Sequence, residues 1–201
     1  MPTPIDPTTL DPDPIRQLGS WLADAEAASV PLPNAFALAT ADDEGMPSVR
    51  YVLLHGLDAD GLRYFTYRGS RKGRDVAINP WAAAAFWWAA LDRQVRVSGS
   101  IRLLSDEDSL AYWRTRPRGS QLSASISAQG QEIGSREELE ARVAELEASH
   151  PGDLPLAPMW GGYLIVPRAV EFWVSRPDRL HDRVEYRRGG DETWNRRRLQ
   201  P

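Results

Sequence analysis

Between Phe36 and Leu103 the chain repeats one pattern: β-rich runs broken by turn clusters. The runs are Phe36 to Thr40, Ser48 to Leu54, Leu62 to Tyr67, Ala82 to Trp88 and Gln94 to Leu103. Asp42-Asp43-Glu44-Gly45 and Asp58-Ala59-Asp60-Gly61 supply turns, and a short helix opened by Ser70 and closed by Asn79-Pro80 fills the third gap. Strands return at Gly162 to Val166, Ala169 to Val174, Val184 to Arg188 and Trp194 to Leu199. Many short antiparallel strands with few helices predict a mainly β (α+β) domain, a closed or split β-barrel with peripheral helices.

The helices carry their own signals. Asp13 as N-cap with Pro14 in the first turn opens one whose apolar face is Ile15, Leu18, Trp21, Leu22 and Ala25. Ser105 with Asp108, and Ser135 with Glu138, resemble capping boxes before two later helices. Residues 1–12, rich in Pro, Asp and Thr, read as a mobile arm, and residues 13–201 as a single domain.

Composition narrows the function. Without cysteine there is no disulfide, thiolate metal site or cysteine nucleophile, and no metal centre is expected. No long apolar run and no basic-then-apolar leader is present, so the expectation is a cytoplasmic protein with no membrane partner. A net charge of −4 argues against nucleic acid, whose phosphates need a basic surface. Lys72 is the only lysine among 24 basic residues.

Three constellations stand out. Arg50 lies on a strand, and Ser70-Arg71-Lys72 opens a helix, where free N–H groups and cations suit a phosphate; taken locally, a solvated pair is the simpler reading. Tyr112 and Arg116 are spaced to share a helix face, and Pro117 is expected to end that helix and turn Ser120 back toward them. A guanidinium, a phenol and a hydroxyl would cradle an anion, though an amphipathic helix end explains them too. Finally, Arg176-Pro177-Asp178-Arg179-Leu180-His181-Asp182-Arg183 crowds an imidazole, guanidiniums and carboxylates directly after Glu171-Phe172-Trp173-Val174.

This last segment, with the Arg116-Pro117-Arg118-Gly119-Ser120-Gln121 run, resembles the pyridoxine (pyridoxamine) 5′-phosphate oxidase family of FMN-dependent enzymes. The resemblance implies an FMN-binding split barrel that dimerises with the flavin at the subunit junction. It implies a flavin site of Arg50, Tyr51, Val52, Leu53, Leu54, Phe65, Thr66, Arg71, Lys72, Gln94, Gln129, Gly130, Trp173 and Arg183. Substrate contacts would come from His55, Tyr112, Arg116, Ser120, Arg179 and His181, with Arg179 and His181 nearest the chemistry. The implied reaction is oxidation of pyridoxamine or pyridoxine 5′-phosphate to pyridoxal 5′-phosphate, with O2 as acceptor.

The chain departs from the family at His55, where a lysine is usual, at Gly130, where a serine is usual, and in Ser123 to Ser127, which lacks a common tryptophan. Its Asn79-Pro80-Trp81-Ala82 run and Arg-Arg-Leu-Gln-Pro ending are similar to the phenazine-biosynthesis flavin oxidases, the alternative reading; Trp81, Trp87 and Trp88 could wall a polycyclic pocket. A flavin- or pyridoxal-phosphate-binding protein without turnover is a third.

Overall fold

The computed structural model describes residues 3–201. Asp13 caps α1 (Pro14–Ala27), its carboxylate accepting from the Ile15 N–H at 2.8 Å. There follow β1 (Ala35–Ala41), β2 (Pro47–Leu53), β3 (Gly56–Asp58), β4 (Gly61–Tyr67), α2 (Arg71–Ile78), β5 (Trp81–Trp88) and β6 (Arg93–Leu103). Next come α3 (Asp106–Thr115), α4 (Arg118–Ile126), α5 (Arg136–Ser149), β7 (Trp160–Val174), β8 (Asp182–Arg188) and β9 (Trp194–Arg198).

All pairings are antiparallel, in the order β2-β1-β5-β6-β7-β4-β3. Strand β7 makes the sheet split. Along one edge it pairs with β6 throughout; along the other its first half pairs with β4 and its second half with β8, which carries β9. The sheet thereby curls into the expected antiparallel split barrel. The two runs predicted between Gly162 and Val174 are one strand, because Pro167-Arg168 forms a bulge against Ser98/Gly99 rather than a turn. A Cβ on Gly99 would stand 2.0 Å from the Val166 carbonyl, so glycine permits this close crossing.

Alternating residues of β1, β5, β6 and β7 fill the main core. Phe36, Leu38, Phe86, Trp88, Val95 and Phe172 close on Leu18, Trp21 and Ala25 of α1, the helix face predicted from periodicity. Trp21 meets Phe172 edge-on at 5.0 Å. A second cluster of Trp113, Leu122, Leu154 and Trp160 holds α3 and α4 against the start of β7. Of residues 1–12, expected as a mobile arm, 1 and 2 lie outside the described residues, and in the rest Ile5 and Leu10 are buried in the main core. Two apolar side chains in a polar segment suffice to seat it, burial of each contributing roughly 1.5–3 kcal/mol.

Candidate active site

The short link from β4 into α2 gathers one group of predicted residues. Ser70 caps α2 by accepting from the Gly73 N–H, and a Cβ on Gly73 would lie 2.0 Å from the Arg68 carbonyl, so only glycine lets the helix begin this close to the strand. The approach buries Lys72, whose Nζ donates to Gln129 Oε1 at 2.7 Å, Thr66 Oγ1 at 3.0 Å and Ser70 Oγ at 3.1 Å. Arg50, on β2, donates to Thr40 Oγ1 at 2.8 Å and the Leu38 carbonyl at 3.2 Å, and stands 3.9 Å from buried Asp75. Burial, then Arg50, lowers the Lys72 pKa from 10.5 to about 8. Burial likewise lowers Arg50, Asp75 opposes this, and Arg71 adds to it. Exposed Arg71 stands 3.8 Å from Asp42.

Arg50 is thus disfavoured as a cation by burial and by Arg71, and Lys72 by burial and by Arg50, while the buried Asp75 carboxylate stands within 4 Å of Arg50. A phosphate dianion would offset that clustering of positive charge, so the residues fit the phosphate of a flavin mononucleotide. On β2, Tyr51 and Leu53 face outward, and Leu54, just after the strand, is buried in the core, leaving the main chain of this stretch as the edge a ring could lie along. Gly130 follows Gln129 with φ +87.

A second group is an aromatic stack. Phe65 stacks on Tyr112 at 4.1 Å and on Trp160 at 5.3 Å, His55 lies 4.6 Å from Tyr112, and the Arg116 guanidinium caps Trp160 at 4.7 Å. Arg116 is not on the helix with Tyr112 as predicted. It is the C-cap of α3, extended at φ −73 and ψ 141, as the residue before Pro117 must be. Among the described residues its buried NH1 has no hydrogen-bond partner, so an anionic oxygen beside it would satisfy this donor.

Pro117 then starts a new helix, α4, instead of a return loop. Ser120 sits half-buried in its first turn, while Ser123 and Ser127 join Phe65, Thr66, Arg116 and Gln129 around a cavity of about 210 Å³. Sequence reading missed both serines. Their i, i+4 spacing was the available signal, legible only once Pro117 is taken as a helix start.

The remaining residues lie elsewhere. Gln94 on β6, Trp173 on β7 and Arg183 on β8 form one row across three strands, with Trp87 on β5 next in line. Trp173 is 5.9 Å from Trp87 and 4.6 Å from His181. Arg183 donates to Glu171 at 2.9 and 3.2 Å. Arg179 ends a short turn with φ 61, after Asp178 at φ 57. Thr66 faces Gly161 near the start of β7, twelve residues before Trp173, or up to roughly 40 Å of strand. One chain thus sets the Thr66 group and the Trp173 group toward opposite ends of β7.

Comparison with known proteins supplies the family. Residues 22–150 match the family model described as pyridoxamine 5′-phosphate oxidase, and residues 160–201 the pyridoxine 5′-phosphate oxidase C-terminal dimerisation region. The chain belongs to the pyridoxamine 5′-phosphate oxidase family. A pyridoxine/pyridoxamine 5′-phosphate oxidase of Rubrobacter xylanophilus is 51% identical over 95% of this chain and 88% of its own. One from Anaeromyxobacter dehalogenans is 51% identical over 97% and 98%. Among solved structures, PhzG from Burkholderia lata 383 in complex with tetrahydrophenazine-1-carboxylic acid superposes with a TM-score of 0.91 at 36% identity, covering 95% of this chain and 94% of that one. Membership makes the chain an FMN-dependent oxidoreductase, and it carries the family's dimerisation region. No helix among the described residues is long and apolar enough to cross a membrane.

Proposed function

We propose that this chain oxidises pyridoxamine or pyridoxine 5′-phosphate to pyridoxal 5′-phosphate in the cytoplasm, as a homodimer whose FMN lies between subunits and is reoxidised by O2. The observation that carries the reading is the pairing of two anion sites close together: the cation cradle of Arg50, Arg71 and Lys72, and Arg116 with its unpartnered buried NH1. One suits the flavin phosphate and the other a substrate phosphate.

Bound FMN supplies the acceptor for the hydride leaving the substrate carbon that bears the amine or alcohol. Arg50, Arg71, Lys72, Thr66 and Gln129 hold it from one subunit, and the Gln94, Trp173 and Arg183 row holds it from the other, because a single chain sets these groups too far apart for one flavin. Tyr112, Arg116 and Ser120 bind the substrate phosphate. His55 takes part as a neutral partner of Tyr112. Arg179 orients the amine or alcohol, and His181 the pyridine oxygen. Holding the substrate against the ring, away from water, is the chain's main contribution to rate.

A second reading, a flavin oxidase acting on a polycyclic metabolite, draws on the likeness to PhzG and on His55, which removes a permanent charge from the substrate end. Purified protein should be yellow and release peroxide with the two B6 phosphates. Peroxide release with polycyclic amines instead would favour the second reading, and bound flavin without peroxide from either class would make the chain a carrier. Composite sites are tested by mixing subunits: Lys72→Ala and Arg183→Ala chains, each poor in flavin alone, should recover flavin when co-expressed, since one site per mixed dimer is then intact.

A further inference from the structure

Residues 5–11, the turn over 176–181 and strand β9 are joined by a run of alternating charges. Asp182 Oδ2 accepts from Arg176 Nε at 2.7 Å and its Oδ1 from Arg198 NH1 at 2.8 Å. The other terminal nitrogen of Arg198 donates to the Ile5 carbonyl at 2.8 Å and to Asp6 Oδ2 at 3.1 Å. Asp182 and Arg176 keep only 15% and 14% of their side chains exposed. Burial alone would raise the Asp182 carboxyl, yet hydrogen bonds from Arg176 and Arg198 hold it below its ordinary value, so the pair stays ionised. Hydrogen bonds from Thr8, followed by Arg198, lower Asp6 to about 2. The segment that carries Asp6 is anchored independently: Arg196 donates to the Leu10 carbonyl at 3.0 Å and the Tyr186 hydroxyl to the Asp11 carbonyl at 2.8 Å.

The turn has need of such a clamp. Asp178 and Arg179 both occupy the left-handed region without being glycine, a strained backbone conformation for side-chain-bearing residues. Leu180 beside them is 70% exposed, so the turn recovers little by burial. Within it the Arg176 main-chain N–H donates to His181 Nδ1 at 3.1 Å, which leaves the proton of the neutral ring on Nε2. Holding Arg176 in place therefore sets both the tautomer and the direction of the imidazole, whose ring lies 4.6 Å from Trp173.

We propose that Asp182 is a positioning residue: clamped between Arg176 and Arg198, and tied through Arg198 to Asp6, it fixes the turn that presents Arg179 and His181 to substrate. The N-terminal segment is then a brace on the substrate loop. This rests on the reading of His181 and Arg179 as substrate-facing, so the test carries one readout that needs no turnover. In ¹⁵N-labelled holoenzyme, His181 is one of three histidines and is assigned with His181→Gln. The wild type should show a single Nε2–H tautomer at His181. Asp182→Asn should show mixed tautomers and a kcat lowered on the order of tenfold, with KM for the phosphorylated substrate much less affected. Asp6→Ala should give a smaller loss that Asp6→Glu restores; should Asp182→Asn fail to fold, this pair decides. An unchanged His181 signature and unchanged kcat in Asp182→Asn would overturn the proposal. If the wild type oxidises neither B6 phosphate, the oxidase reading fails on its own and the tautomer signature still decides the brace.

Discussion

The Tyr112 hydroxyl lies 2.7 Å from Nδ1 of His55, with the two rings 4.6 Å apart. Burial, and then Arg116, lowers the His55 pKa below 6.5. The imidazole is therefore neutral at pH 7, and its cationic form appears only as pH falls through that lowered value. Substrate affinity should consequently gain less from His55 between pH 8 and 6.5 than an ordinary histidine would give. His55→Lys should tighten pyridoxine 5′-phosphate by about 1.5–3 kcal/mol at pH 8, with a ratio to wild type that changes less toward pH 6.5 than an ordinary histidine would make it. The ratio cancels the phosphate's own ionisation near 6. A ratio of KM values that closes steadily from pH 8 to 6.5 would show His55 titrating in the ordinary range.

Lys72 titrates closer to neutrality. With its pKa lowered to about 8 by burial and then Arg50, the flavin-free protein loses this ammonium as pH rises through 8, while a flavin phosphate stays dianionic. FMN affinity, read by fluorescence quenching, should fall above pH 8. The fall should vanish in Lys72→Arg, which stays charged. At pH 7, Lys72→Ala should weaken FMN by roughly 1.5–3 kcal/mol. Stability of the flavin-free protein has the opposite slope: between about 8 and 10.5 the unfolded chain keeps a proton that the folded protein has lost, so stability rises with pH in that window.

How far the sequence could be read follows the range of each interaction. The α1 face and its Asp13 cap were legible because both signals are local and periodic. The β runs were legible as well, but not their partners: that β7 pairs with β4 along one half and β8 along the other depends on a bulge at Pro167, which local sequence reads as a turn. The Pro117 error had a similar source, since proline both ends α3 and starts α4, and only the packing of Leu122 against Trp113 in the second core selects the helix. Site residues came from motif resemblance. Nothing in their spacing revealed that Lys72 and Gln129 touch, or that Trp173 stands at the far end of β7 from Thr66.

Arg116 offers a kinetic test of the substrate phosphate. A contact made equally in ground and transition states changes KM and leaves kcat alone. Arg116→Ala should therefore raise KM for pyridoxine 5′-phosphate by tenfold or more, about 1.4 kcal/mol or above, and change kcat little. Dephosphorylated pyridoxine should respond far less. Equal losses with both substrates would remove the phosphate from this end of the stack.

Gly73 links fold and cofactor most directly. Its missing side chain lets α2 start against the Arg68 carbonyl, and the same approach brings the Lys72 Nζ within hydrogen-bonding reach of Thr66 and Gln129. In Gly73→Ala the new methyl would meet that carbonyl at 2.0 Å, a contact with main chain that no side-chain rotation relieves. The helix start must move outward. Overpacking of this kind costs about 1–3 kcal/mol, so thermal unfolding should shift down by several degrees. Because the shift also withdraws Lys72, FMN affinity should fall in the same variant. Gly119→Ala makes the control, since a Cβ there meets nothing within 4 Å. If Gly73→Ala kept wild-type flavin affinity while losing stability, the position of α2 would matter to the fold alone, and the phosphate would be held chiefly by Arg50 and Arg71.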